Sequence, residues 1–187
     1  MTFLNEALNA LYGAYRLARF DPRGLSHFNL SEQGFWRSFR AAGIVFPMFF
    51  LLMAIRYGVD DIETPLGRYM AVEFIAYIIG WVAFPVVMVG VARQFERTHH
   101  YVRFIIAYNW AAVLQNCLYI PIAILSITGQ LTGGGGFLVL LAMVVIIIYT
   151  WYVAKTALDI RGPAAAGVVA FDFVISFAIN MYAQGLL

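Results

Sequence analysis

The chain has 187 residues, of which 63% are hydrophobic, 17% aromatic and 12% charged, against about a quarter charged in an average soluble domain. A mean hydropathy of +0.80 and apolar runs of roughly 20 residues, the length that crosses a bilayer, leave too few polar side chains to coat a soluble surface. Such a composition, with a net charge of +2 and one cysteine, excludes a secreted disulfide scaffold, a nucleic-acid binder and a disordered tail.

The first residues lack the form of a signal peptide. Glu6 comes early, no uninterrupted apolar stretch follows, and Arg16 and Arg19 stand where a cleavage site would fall. Leu4, Leu8, Leu11, Tyr15 and Ala18 recur at alternating steps of four and three, with Asn5, Asn9, Arg16 and Arg19 on the other side. That spacing predicts an amphipathic helix within a cytoplasmic segment, residues 1–30. Two placements stay open. The helix lies in the headgroup plane with Phe3, Leu4, Leu8 and Leu11 dipping into the acyl boundary, or it packs as a cap on the cytoplasmic ends of a bundle. Asp21-Pro22-Arg23-Gly24 predicts a turn, with proline at the first corner and glycine free to take positive φ.

Residues 31–187 form the second unit, an all-α polytopic bundle of five transmembrane helices. Ser31 suits an N-cap, Glu32 and Gln33 fill the first turn, and Leu30 can staple onto Phe35. From there a helix climbs through Trp36, Arg37 and Arg40 into the first span, residues 36–56. The other spans are 69–92 with Glu73 and Pro85, 102–127 with Asn109, Gln115, Asn116 and Pro121, 137–154 without a charge, and 164–186 with Asp172, Ser176, Asn180 and Gln184. A strand barrel is disfavoured, because the apolar runs are continuous and do not alternate. Gly133 to Gly136 sit in a short loop with no Lys-Ser or Lys-Thr behind them, which predicts a flexible hairpin connection and no phosphate loop.

Arginine and lysine orient the bundle. Arg16, Arg19, Arg23, Arg37, Arg40, Arg93, Arg97, Arg103, Lys155 and Arg161 flank one side, ten in all, and only Arg56 and Arg68 flank the other, beside Asp60, Asp61 and Glu63. The positive-inside bias then places the N-terminus in the cytoplasm and the C-terminus in the periplasm of a bacterial-type inner membrane. Arg16, Arg19, Arg23, Arg93 and Arg97 are the expected contacts to anionic headgroups.

Asp172 demands an explanation, since a carboxylate near the bilayer centre costs about 2.5–3.5 kcal/mol on insertion scales. Asp172, Ser176, Asn180 and Gln184 are each four apart and form a slowly turning polar stripe on one side of their helix. Asn109 and Asn116, one heptad apart, share a side of the third span, with Gln115 beside them. At matched depth Asp172 is expected to face Asn109, and Asn180 to face Gln115 or Asn116, as a polar seam. One reading makes the seam a path or binding site for a proton, ion or small polar solute, with Asp172 as the titrating group. The other makes it interhelical glue, amides and carboxyl bonding across helices for about 0.6 kcal/mol apiece.

The remaining polar residues have plainer accounts. Glu73 reads as an interfacial anchor near Arg68, and His99 and His100 as part of a solvated, lipid-facing turn with Glu96 as the one carboxylate beside them. Tyr12, Trp36, Tyr57, Tyr69, Tyr101 and Tyr152 read as interfacial aromatic anchors, and Cys117 as a small packing residue. No His-Glu-x-x-His, Gly-x-Ser-x-Gly, paired intramembrane aspartates or Cys-x-x-Cys occurs, nor a histidine pair placed for haem. The expectation is a non-enzymatic protein without catalytic residues, metal or cofactor. Its expected partners are membrane lipids and either further copies of itself or other membrane subunits, and no nucleic acid.

A cytoplasmic amphipathic segment, five spans and an end just beyond the last helix together resemble the bacterial Yip1-type membrane proteins. The Asp-Leu-x-Gly-Pro signature of eukaryotic members lies ahead of their first span, whereas the nearest string here, Asp159-Ile160-Arg161-Gly162-Pro163, precedes the fifth. The resemblance is one of architecture and implies a non-enzymatic role in membrane organisation. The leading expectation is a scaffold or accessory subunit in complex assembly, and the alternative a small transporter or channel built on the Asp172 seam.

Overall fold

The computed structural model describes residues 3–60, 62–131 and 133–187, so Asp61 and the side chain of Phe3 lie outside the description. The described chain is about 85% helix without strands. Its elements are α1 (Phe3–Ala18), a 3₁₀ turn (Pro22–His27), α2 (Glu32–Ser38), α3 (Arg40–Val59), α4 (Leu66–Gln94), a short 3₁₀ turn (Thr98–His100), α5 (Tyr101–Ile127), α6 (Gly135–Leu158) and α7 (Gly162–Gln184). Five helical stretches are long and apolar enough to cross a membrane, beginning at Glu32, Leu66, Thr98, Gly135 and Gly162. The protein is a multi-pass membrane protein.

α5 is the axis of the bundle. It packs against α6, α3, α1 and α2, while α4 and α7 pack on each other beside it. Phe104, Ile105, Ile106 and Ala107 are at most 1% exposed, so the end of α5 near α1 is enclosed on every side.

α1 docks on the bundle, and it does so through an alanine face, not through the leucine stripe. Ala7, Ala10, Ala14 and Leu17 are buried, whereas Leu4, Leu8, Tyr12 and Tyr15 are exposed. Small side chains let the α1 backbone come close enough for the Tyr149 hydroxyl of α6 to donate to the Ala14 carbonyl at 2.8 Å. Tyr152 donates in the same way to the Phe20 carbonyl at 2.7 Å. The following turn folds back so tightly that a Cβ on Gly24 would lie 2.4 Å from the Gly13 carbonyl oxygen.

Polar pairs fix this docking. Glu6 accepts from Asn29 Nδ2 at 3.0 Å and from Arg37 at 2.7 Å. Burial by itself would raise the Glu6 carboxyl, but the Asn29 and Arg37 hydrogen bonds and the charges of Arg37 and Arg40 outweigh it and hold the group below its ordinary value. Arg16 donates to Asp21 at 2.8 Å, and that pairing, with the Arg23 amide, lowers the Asp21 carboxyl.

Ser31 caps α2, its hydroxyl accepting from the Gly34 amide at 3.1 Å. α2 leads into α3 within the helical stretch Glu32–Val59, with Phe39 (φ −66°, ψ −14°) as a one-residue irregularity between them, and α2 lies against α5. Of the glycine-rich stretch, Gly135 and Gly136 already belong to α6, and a Cβ on Gly135 would lie 2.9 Å from Ser126 Oγ.

Candidate intramembrane polar site

α4 is tied to α5 and α7 near its two ends and, through Tyr77, to α3 in its middle. At the end remote from α1, Thr64 donates to the Leu187 carbonyl, Arg68 to the Leu186 carbonyl at 2.6 Å, and Gln184 to Glu73 at 3.2 Å. At the α1 end, Tyr101 of α5 donates to the Pro85 carbonyl at 2.9 Å, and Phe84 packs edge-on against Phe104. Between these fastenings lies a cavity of about 390 Å³, walled by α4, α5, α7 and Phe49 of α3.

Each of the three helices contributes residues at helical spacing. α7 supplies Asp172, Ser176, Ile179 and Asn180; α5 supplies Tyr108, Ala112, Gln115 and Asn116; α4 supplies Glu73, Ala76, Tyr77, Gly80 and Trp81. Rows at i, i+4 and i+8 bring one face of a helix to one side of a cavity. Ala76, Gly80 and Ala112 leave the room that the larger side chains line.

The hydrogen bonds show which groups are committed. The Tyr108 hydroxyl donates to both Asp172 carboxyl oxygens, at 2.9 and 3.1 Å. Gln115 donates to Thr150 at 3.0 Å, and Asn116 to the Ala112 carbonyl at 2.8 Å. Ser176 and Asn180 have no hydrogen-bond partner among the described residues and are exposed. Tyr77 donates to the Ala42 carbonyl at 2.6 Å and stacks on Phe49 with ring centroids 4.5 Å apart. The aromatic wall is thereby held in place.

Five of the six predicted seam residues therefore meet at this cavity: Asp172, Ser176, Asn180, Gln115 and Asn116. Asn109 does not. By helical geometry it points within roughly 20° of Asn116, but at its depth α2 covers that side of α5. There Asn109 is 0% exposed and donates to Ser38 Oγ at 2.9 Å. The packing of α2 on α5 supplies this neighbour, which spacing along α5 does not show.

Glu73 lines the same cavity as Asp172, is 7% exposed, and bonds Gln184; Arg68 is engaged with Leu186. It is therefore not an anchor paired with Arg68. Its signal in the sequence is the row Glu73, Tyr77 and Trp81, spaced by four like the Asp172 row. Tyr108 gave no such signal, because an aromatic residue in an apolar span is ordinary.

The basic residues divide. Arg16 is spent on Asp21, Arg97 donates to the Asp159 carbonyl at 3.1 Å, and Arg19 stacks on Tyr15, while Arg23 and Arg93 are exposed. His100 Nδ1 lies 3.0 Å from the Leu158 carbonyl and Arg103 donates to that of Ala157 at 2.8 Å. Arg97, His100 and Arg103 thus cap the last carbonyls of α6, where cations also suit the helix dipole. The histidine turn is a helix cap. Tyr57, Tyr101 and Tyr152 likewise spend their hydroxyls on carbonyls of neighbouring segments. Among the described residues no group of three or more His, Cys, Asp or Glu is placed to hold a metal ion.

A comparison of the chain with protein-family models, with curated proteins and with solved structures finds no match in any of the three.

Proposed function

We propose that this chain is a non-enzymatic protein of a bacterial-type inner membrane that binds a small polar solute in the α4–α5–α7 cavity and passes it through the bilayer, as a small transporter or channel. The observation that carries this reading is unspent polar capacity at bilayer depth. A seam that served only as glue would pair its groups across helices. Here Ser176 and Asn180 bond nothing described, and Asp172 rests on one phenol. Irregular or polar surface at membrane depth is tolerated where it lines a cavity that takes up water or solute. The excess of arginine and lysine at the α1 end supports a cytoplasmic location for that end.

Water-soluble methanethiosulfonate reagents test this directly, because they react with thiolate, which forms only where water reaches. In the full chain with Cys117→Ser, Ser176→Cys is expected to react and Val174→Cys, on the apolar side of α7, to stay inert. Equal inertness of both would defeat the reading. Proteoliposomes then report flux, which Asp172→Asn should abolish in a protein that still folds.

A second reading is favoured by α7 itself. Only 11% of its most apolar window is buried, against 28% for the spans of α3, α5 and α6. So peripheral a helix suits a scaffold or accessory subunit, self-associating or held to another membrane protein, in the role that the Yip1-type resemblance implies. Gentle extraction from the native membrane separates the two. Partners at fixed stoichiometry mean a subunit, and a lone homo-oligomer returns the function to the cavity.

A further inference from the structure

We infer, building on the solute-binding reading, that the cavity takes an organic cation, an alkyl- or arylammonium or a quaternary onium ion. Two carboxylates from different helices, Asp172 and Glu73, line one cavity, and no Lys, Arg or His is among its lining residues. Each carboxylate has a neutral donor, Tyr108 or Gln184, which leaves its charge uncancelled. Arg56, whose charge Glu73 feels, pairs with Asp60 at 3.9 Å and does not line the cavity. In a low-dielectric setting, two acidic groups lining one cavity without a cation among its walls favour a positive occupant.

The rest of the wall distinguishes an organic cation from a metal ion. Phe49, Tyr77, Trp81 and Tyr108 present four aromatic rings to the same space. Aromatic faces attract onium ions through their quadrupole and bury the apolar substituents at the same time. A hard metal ion instead wants six or more oxygens at short range, and no such group of acidic or histidine ligands exists among the described residues. A volume near 390 Å³ is that of a small-molecule pocket, far more than one dehydrated ion fills.

The test uses the full chain in nanodiscs of zwitterionic lipid, with empty nanodiscs subtracted. The probes are tetraphenylphosphonium, its isosteric anion tetraphenylborate, and neutral triphenylphosphine oxide. Saturable binding of the phosphonium alone is expected, weakened about tenfold or more by Asp172→Asn, as loss of a charged partner implies. Glu73→Gln should weaken it less. Gly80→Leu should abolish it by filling the cavity, since a Cβ at Gly80 meets nothing within 4 Å and the bundle need not shift. That variant and the charge preference carry the test even if Asp172→Asn does not fold.

Equal binding of tetraphenylborate, or binding indifferent to both Asp172→Asn and Gly80→Leu, overturns the inference. Displacement of the phosphonium by millimolar sodium ion overturns it in favour of a metal cation. Binding of the neutral oxide as tightly as the phosphonium, blocked by Gly80→Leu, overturns the cation assignment and leaves the cavity a solute site. No binding of any probe, with Ser176→Cys reactive, overturns the cation assignment alone. No binding with Ser176→Cys inert overturns the solute-binding reading as well.

Discussion

The α1-proximal half of α5 and the middle of α7 are written in similar apolar sequence, yet one is sealed and the other open. Around Asn109 the helices close on one another: Asn109 Nδ2 bonds Ser38, Ser38 bonds the Phe35 carbonyl and Glu6 bonds Arg37, while Asn109 Oδ1 is buried without a hydrogen-bond partner among the described residues. Around Asp172 the neighbouring Ser176 and Asn180 are left over, and the aromatic rings line a volume they do not fill. Most buried polar groups that hold a structure are paired, but Asn109 Oδ1 is not, so it is the open volume beside Ser176 and Asn180, and not lack of pairing alone, that separates the two regions. Spare capacity beside space is what a site keeps for an occupant, and the contrast between these two regions is the reason for assigning structure to one and binding to the other.

Truncating an aromatic ring in each region gives the largest expected effect. Phe104 is 0% exposed and packs on Phe84, so Phe104→Ala should cost about 3–5 kcal/mol of unfolding free energy in detergent. Phe173 is 56% exposed, and Phe173→Ala should change stability by no more than about 0.5 kcal/mol. A comparable cost for Phe173→Ala in the native membrane extract, but not in the isolated chain, would mean that another chain covers α7.

Acidification gives a smaller effect on the sealed region. Glu6 is held below its ordinary value, so its contribution to α1 docking is complete above the ordinary glutamate range, near pH 4.3. It is lost as the pH falls through the lowered native value. For a partly exposed ion pair that contribution is about 0.2–1 kcal/mol. Hydrogen exchange of the α1 amides should therefore accelerate at acid pH, and in Glu6→Gln it should already be fast at neutral pH and change less on acidification. Slower exchange on acidification would contradict the assignment of Glu6 to this role.

How much of this was legible beforehand differs by the kind of information each feature needs. Five spans follow from run lengths, and the Asp172 row from its spacing of four, because both are local. Asn109 was misplaced by a non-local fact: α2 covers one depth of α5. Glu73 is shallow, as counting from the end of its span implies, but α4 leans on α7 there and the carboxyl is buried against Gln184. Leu4 and Leu8 of the α1 leucine stripe stay outside the bundle. Helix–helix docking in a membrane protein favours small residues that let backbones approach, so the alanine face won the bundle and the larger apolar side chains were left outside.

The smallest effect concerns where the helices of the sealed end stop. α1, α4 and α6 each terminate with a non-glycine residue in the left-handed region, Phe20, Glu96 and Asp159, at φ of 59, 57 and 54°. The next amide in each case reaches back to a carbonyl five residues earlier, as Arg97 does to Ala92 at 2.8 Å, the closure that usually employs glycine. A side chain there costs about 1–2 kcal/mol, while glycine loses about 0.5–1 kcal/mol more chain entropy on folding. Glu96→Gly should therefore stabilise by about 0.5 kcal/mol, since the exposed side chain has no bonded partner among the described residues. Phe20→Gly should not, because the Phe20 ring packs edge-on against Tyr152 at 4.9 Å, a contact worth about as much as the relieved strain. Unfolding midpoints of the two variants measured side by side decide whether Phe20 is kept for that ring or only tolerated; a gain in both would mean that the Phe20–Tyr152 pair adds nothing to the docking of α1.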